Sequence, residues 1–481
     1  MTLTLFSLYL AVTIGVGLWS ARGRSDDEVG FFLGGRQLSG FVVALSAVSS
    51  GRSAWLVLGA SGAAWSAGVS AVWLFPGYIA AEYVLLAKLG PRLRRLSAEV
   101  DAVTVPEVLE RLSADAGSPA ARLPVRQVAG AIIVAFLVTY VSAQLVAGGK
   151  ALEAAFPSVD GKTAGLCITA GIVLVYTWLG GYHAVAVTDV VQAVLMIFGL
   201  VILPVLGLVH VGGFDALAES LRAIDPELLT WVNGAGPLMA GIAIGLGSFG
   251  SPPILVRAMS INRAEKLNGA ARIAGLWNLV MAAGALVIGL VGRVLYESQS
   301  AFPGGDREHL FPMLGSALSA EYLFPSFVGV LLAALFAAIM STCDSQLLVI
   351  ASSLVRDFRR QGSQEETSRG IAASRLAVLL ALAAAVGISF GAERSVKDFV
   401  LFSWDALGAA FGPALLFLLF VPRTTTRGVL AGMVLGVATV VAWGKTPELA
   451  GLIHQRIPGF AIAALALWGL RANQDRPKET T

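Results

Sequence analysis

Residues 44–55, ALSAVSSGRSAW, decide the fold. They occupy the middle of the apolar run Phe41–Gly62, where a membrane helix calls for leucine, yet they hold four serines, a glycine and an arginine. A second run has a similar fault: residues 245–255, GLGSFGSPPIL, place three glycines ahead of Pro252 and Pro253 within Leu238–Val256. Glycine weakens a helix and an internal proline removes one of its backbone hydrogen bonds. Non-helical backbone at membrane depth survives only where it is buried in protein or lines a wet cavity. Two such breaks in corresponding positions point to a transporter's binding site.

Composition puts these runs in a membrane. The 481 residues are 56% hydrophobic and only 14% charged, with a mean hydropathy of +0.76. Soluble domains carry about 25% charged residues. The same balance excludes a disordered chain. Two cysteines give no disulfide framework, and a net charge of +3 spread in short clusters gives no nucleic-acid surface. Thirteen runs, from Leu3–Ser20 to Ile457–Leu470, reach or approach the span of about 20 residues that a membrane helix needs. The expected fold is therefore an all-α polytopic membrane protein with about 13 transmembrane helices. The two broken runs, second and seventh, are five spans apart. Five-helix halves carrying them would then be related by inversion.

The basic residues orient the chain. With the N-terminus outside, cytoplasmic segments hold 24 of the 34 Lys and Arg, against nine outside, with Arg52 inside a span. Arg257 is counted here with the cytoplasmic bases. The first run lacks a preceding basic segment, so it reads as an uncleaved span rather than a signal peptide. Residues 1–38 form that span and its loop, 39–422 a ten-span core, and 423–481 two further spans and a polar tail. Phe214–Ile224 outside and Val105–Leu112 inside read as short amphipathic helices.

A charge at the bilayer centre costs about 2.5–3.5 kcal/mol on the mildest scale, so each one calls for a reason. Arg52 and Asp405 lie at depths that a long arginine side chain can bridge, which suggests a pair acting as a gate or substrate clamp, or as a permanent lock. Residues 337–346, AAIMSTCDSQ, put Ser341, Thr342, Asp344 and Ser345 within little more than one turn. Such hard oxygen donors suit a hard cation like Na⁺. Asp189 opens the sixth span, either facing the same ion route or capping a helix. Glu82 reads as a snorkelling interfacial acid near Lys88, and His183 as a loop residue. No metal-ligand spacing, phosphate loop or nucleophile elbow appears, so no enzyme is expected.

Taken in order, FLGGR (32–36), ALSAVSSGRSAW (44–55), LGGYHAVAVTDVVQA (179–193), GLGSFGSPPILVR (245–257), AAIMSTCDSQLLV (337–349) and LGAAFGPALL (407–416) resemble the sodium/solute symporter family, nearest its bacterial sodium/proline symporters. The resemblance runs from about Phe31 to Pro422 and implies two inverted five-helix repeats in spans two to eleven. It implies a sodium site made by the carbonyls of Ser49, Arg52 and Ala338 with the hydroxyls of Ser341 and Thr342. It further implies a second cation site or exit route at Asp189, Ser341, Asp344 and Ser345, and a substrate region including Ser53, Trp55, Tyr140, Ser248, Phe249, Pro252 and Trp404.

Departures from the pattern shape the expectation. Where proline symporters carry an Asp–Met pair this chain has Gly51 and Arg52, and where they carry Trp and Tyr it has Ile244 and Ser248. They hold a small apolar residue at the position of Asp405. The expected function is Na⁺-coupled symport of a small organic solute, most readily an amino acid such as proline, by alternating access. Coupling to H⁺ or to no ion, with Arg52 standing in for a cation, is the alternative within the fold. A solute-binding membrane sensor is the alternative of another class. The expected partners are the solute and the bilayer, in the cell membrane, without an obligate protein partner.

Overall fold

The computed structural model describes residues 1–21, 28–115, 123–156, 158–179, 181–358, 367–391 and 395–471. The polar tail after Arg471 lies outside these residues, as do Arg22, Arg24, Arg122, Arg359, Arg360 and Arg394 of the orientation count. Fifteen helices carry the argument. They are α1 (Thr2–Ala21), α2 (Gly40–Gly51), α3 (Ser61–Ala67), α4 (Pro76–Val84), α5 (Val125–Ala155), α6 (Leu166–Leu179), α7 (Tyr182–Val211), α8 (Ala235–Ile242), α9 (Pro252–Ser260), α10 (Leu267–Leu295), α11 (Val328–Ser352), α12 (Thr367–Phe390), α13 (Val396–Phe420), α14 (Thr426–Gly444) and α15 (Arg456–Gly469). Shorter helices decorate the loops.

Among the described residues nine helices are long and apolar enough to cross a membrane, and a pair bent by 45° at Phe249–Ser251 makes ten. The other expected runs are shorter helices, Gly40–Gly51, Gly161–Val175 and Arg456–Gly469, so the structure counts fewer self-sufficient spans than thirteen. The first of these is short because its span is broken. α2 ends at Gly51, Arg52 leaves the helical region at φ −114° and ψ 70°, and the chain resumes as a π-helical turn, Trp55–Ala60, leading into α3. In the seventh run the prolines stand at the start of α9, where a missing N–H costs nothing. Ser251 precedes them in extended geometry.

Packing places the breaks at the centre. α2 lies against α7, α9, α10 and α11. The best apolar window of α11 is 83% buried inside the protein, whereas that of α1 is 17% buried. α11 is therefore the axis of the molecule and α1 faces lipid. The entry to α2 and the exit from α9 meet as a two-residue bridge: Leu38 N–H donates to the Ser260 carbonyl at 3.1 Å and Asn262 N–H to the Leu38 carbonyl at 2.9 Å. The start of one broken helix thus lies beside the end of the other, as inversion requires. Phe214–Ile224 is a helix with the expected bounds, and the inner one runs Val105–Arg111. His183 belongs to the first turn of α7, not to a loop.

Candidate substrate and ion site

The backbone of Ser49 and Ser50, at the end of α2, faces α11. Ser341 Oγ donates to the Ser49 carbonyl at 3.1 Å and lies 3.3 Å from the Ala338 carbonyl. Thr342 Oγ1 donates to the Ser50 carbonyl at 3.4 Å, and Ser50 Oγ returns a bond to the Ser341 carbonyl at 3.0 Å. All of these residues are buried. Two hydroxyls and three carbonyls therefore converge where the last turn of α2 crosses α11. Such a set of hard oxygens suits Na⁺. Ser49, Ala338, Ser341 and Thr342 thus meet at this crossing, joined by Ser50, while Arg52, the fifth residue of the expected set, stands one residue past the end of α2.

One turn toward the α2 N-terminus a second cluster forms around Arg257, a residue read from the sequence as a cytoplasmic base. Arg257 is fully buried on α9. Its guanidinium bonds Asp189 Oδ2 on α7 at 2.8 Å, Ser46 Oγ at 2.7 Å, Ser345 Oγ at 2.5 Å, Ser50 Oγ, and the Pro253 carbonyl at 2.7 Å. Ser46 Oγ also donates to Asp189 at 2.5 Å. Asp189 and Ser345 are therefore assembled, but around a guanidinium. Asp344 is not with them: its Oδ1 accepts from Thr177 Oγ1 on α6 at 2.7 Å. Residues 341, 344 and 345 share one broad face of the helix, but that face is wide enough to meet two neighbours, and Asp344 turns to the farther one.

The expected pair of Arg52 and Asp405 does not form. Arg52 pairs with Glu82 on α4. Its Nε donates to Asn278 Oδ1 on α10 at 2.9 Å, and its guanidinium carbon stands 3.8 Å from the Tyr78 ring centroid. Asp405 pairs instead with Arg456 at the start of α15, Nε to Oδ1 at 3.0 Å, and accepts from Gln455 Nε2 at 3.1 Å. Depth along the membrane matched the two residues, but they leave their helices in different directions. Glu82 likewise is no snorkelling acid; it is 1% exposed and held by Arg52.

The remaining expected residues surround the breaks. Tyr140 Oη on α5 donates to Ser53 Oγ at 3.2 Å, and Ala54 N–H donates to Gln144 Oε1 at 3.0 Å. Trp404 Nε1 donates to the Ile244 carbonyl at 3.1 Å, which lays the indole over Gly247 in the second broken run. Only glycine allows this, because a Cβ at Gly247 would stand 1.9 Å from the indole Cδ1. Ser248 Oγ and Gln144 Nε2 are buried without a hydrogen-bond partner. Phe249 is partly buried, and Pro252 starts α9. Trp55 turns away from this group and packs edge-on against Tyr78, centroids 5.9 Å apart.

Ion pairs join the helices at both ends of this region. On one side Glu308 caps the first turn of α13, accepting from Val396 N–H and Lys397 N–H at 3.0 Å each, while Lys150 reaches Glu308 and Asp306 at 2.5 Å each. Arg456 also donates to the Ala240 carbonyl of α8 at 2.8 Å. His454 beside it is held neutral, since burial and then Arg456 and Lys397 lower its pKa from 6.5 to about 3. On the other side Glu107 binds Arg126 at 3.1 Å and Arg356 at 2.9 Å. Burial raises the Glu107 carboxyl, but Arg356, the Val103 N–H, Arg126 and Arg111 outweigh it and hold it below the ordinary value.

The sequence reading missed Glu82, Gln144, Asn278, Arg257 and Arg456. Each is a polar or charged residue inside or at the edge of an apolar run, and that anomaly was visible in the sequence.

The architecture, all-helical with two helices broken at the centre of a membrane bundle, defines a secondary transporter. The profile of the sodium:solute symporter family matches residues 31–436. The osmoregulated proline transporter OpuE of Bacillus subtilis is 35% identical over 468 residues, 95% of this chain and 92% of that protein. The high-affinity proline transporter PutP of the same organism is 35% identical over 453 residues, 92% of each chain. Sodium/proline symporter 2 of Staphylococcus saprophyticus is 32% identical over 491 residues, 99% of this chain and 93% of that one. The structure of a Na⁺-coupled sialic acid symporter in a substrate-bound outward-open state shares the fold, with a TM-score of 0.77 at 17% identity over 97% and 96% of the two chains. The chain belongs to the sodium:solute symporter family. It is a multi-pass membrane protein that couples Na⁺ to the movement of a small organic solute, and not an enzyme.

Proposed function

We propose that the chain carries proline, or an amino acid of similar size, together with Na⁺, into the cell across the cell membrane, its N-terminus outside and its C-terminus cytoplasmic. The observation that carries the ion half is the meeting of the Ser49, Ser50 and Ala338 carbonyls with the Ser341 and Thr342 hydroxyls at one helix crossing. Two of those oxygens belong to the helix that breaks and three to α11, the axis of the molecule. An ion held there fixes the last turn of α2, and with it the first residue of the solute region, Ser53. That OpuE and PutP are proline transporters supports the solute half. Ser53, Tyr140, Ser248, Phe249, Pro252 and Trp404 would surround the solute, with the unpartnered Ser248 Oγ and Gln144 Nε2 free to bond its polar head.

The driving force is adequate. One positive charge crossing 100 mV releases about 2.3 kcal/mol, and a tenfold ion gradient adds about 1.4 kcal/mol. Together they sustain about 500-fold accumulation of a neutral solute per Na⁺. Uptake of labelled proline by protein in liposomes, with and without an inward Na⁺ gradient, tests the reading. Uptake that requires Na⁺ and is reduced in Ser341→Ala supports it. Proline uptake indifferent to Na⁺, or absent while another solute is carried, refutes the corresponding half.

A further inference from the structure

Arg52 brings a full positive charge to the end of the helix whose carbonyls face Ser341 and Thr342. A like charge on the order of 8 Å from a bound cation, at an effective dielectric near 20, weakens binding by about 30-fold. Three observations show how the protein meets this. First, Arg52 is 1% exposed and its guanidinium is paired with the Glu82 carboxylate, itself 1% exposed. Second, that carboxylate lies close to the ion-site backbone. Glu82 Oε2 is 3.8 Å from the point where a Cβ on Gly51 would stand. Gly51 supplies the nitrogen of the peptide whose carbonyl, that of Ser50, accepts from Thr342. Third, Arg52 is oriented away from α11, by Asn278 Oδ1 at 2.9 Å and by the Tyr78 ring at 3.8 Å.

We propose that Glu82 is a positioning and charge-balancing residue for Na⁺ coupling: acting through Arg52, and touching neither ion nor solute, it cancels the guanidinium's field at the oxygens between α2 and α11. Arg52 in turn staples the end of α2 to α4 and α10, so the break gains an anchor without losing its cation. The proposal rests on the Na⁺ reading above.

The test is the Na⁺ dependence of proline uptake in liposomes, with Na⁺-induced thermal stabilisation of the purified protein as a second measurement that needs no transport. Glu82→Gln is expected to raise the half-saturating Na⁺ concentration by about tenfold or more in both, with the maximal uptake rate at saturating Na⁺ largely kept. Glu82→Asp, which keeps the charge but withdraws it by one methylene, raises it less. The double variant Arg52→Gln/Glu82→Gln removes both charges and returns the value to within about threefold of wild type, a rescue that a merely structural role for Glu82 would not give. Wild type that depends on Na⁺ while Glu82→Gln stays within twofold of it overturns the proposal alone. So does a double variant no better than Glu82→Gln. Wild type indifferent to Na⁺ overturns the ion reading and the proposal with it.

Discussion

The pair of Asp405 and Arg456 makes a prediction that can be worked through from the structure. Both residues are 3% exposed, and Arg456 Nε stands 3.0 Å from Asp405 Oδ1. Gln455 supplies a further hydrogen bond to the carboxylate and the Ala240 carbonyl takes one from the guanidinium. His454, with its pKa lowered to about 3, adds no charge to the intact pair. Removing one partner of a buried pair leaves the other charge desolvated and costs about 3–5 kcal/mol, whereas neutralising both costs far less. Unfolding entropy is on the order of 2 cal/mol/K per residue, so for this chain about 1 kcal/mol corresponds to 1 °C. Asp405→Asn and Arg456→Gln should therefore each melt about 3–5 °C below wild type in detergent. The double variant should melt above both, with a coupling energy of about 2 kcal/mol or more. A double variant that melts no higher than the singles refutes the pairing. Singles that melt within 1 °C of wild type refute the claim that the charges are buried together.

Other perturbations follow from the same geometry. Ser341→Ala and Thr342→Ala each remove one oxygen from the crossing of α2 and α11, and each should raise half-saturating Na⁺ about tenfold or more in uptake assays, since one hydrogen-bond-strength contact to a charge is worth about 1.5–3 kcal/mol. Gly247→Ala puts a methyl 1.9 Å from the Trp404 indole; overpacking of this kind costs about 1–3 kcal/mol, so Trp404→Ala should lower the melting temperature less in that background than in wild type, where losing a buried indole costs about 3–5 kcal/mol. Arg257→Met leaves Asp189 buried without its cation and should lower the melting temperature more than the double variant Arg257→Met/Asp189→Asn does. The Glu107 carboxyl is held below its ordinary 4.5, so its ion pairs contribute in full above that value and are lost as pH falls through the lowered one. Wild type should then be more stable than Glu107→Gln at pH 7, and the gap should close on acidification below pH 4.5; a gap that widens would contradict the pairing with Arg126 and Arg356.

Much of this arrangement was visible in the sequence, for identifiable reasons. A run of apolar residues is a composition signal, and serine, glycine and proline inside it are violations that only a break can explain, so residues 44–55 and 245–255 declared themselves. The hydroxyls of Ser341 and Thr342 were legible because polar oxygens beside a carboxylate, Asp344, stand out inside an apolar run. The direction in which a side chain leaves its helix relative to other helices is not encoded locally. Arg52 and Asp405 share a depth, yet one turns toward α4 and α10 and the other toward α15. Arg257 was hidden for another reason: at the end of an apolar run, a buried base and a snorkelling one look alike, and only the neighbouring Asp189, Ser46 and Ser345 distinguish them.

The three buried pairs also divide the work of alternating access. Separating two charges in a low-dielectric interior is expensive unless water or a ligand replaces the lost partner. A pair between elements that move apart must therefore lie where water enters, and a pair deep in the centre must join elements that move together. Arg257 ties α9 to α2, α7 and α11 at once, so any opening that carries α9 away from them must hydrate it. Arg456 ties α8 and α13 to α15, and so holds the start of that helix against both. Arg52 and Glu82 lie instead at the break itself, with Asn278 and Tyr78 closing around them. Their separation would expose two charges beside the ion site with nothing to replace either. α2, α4 and α10 should accordingly move as one body around that pair, while the ends of the broken helices swing on either side of it.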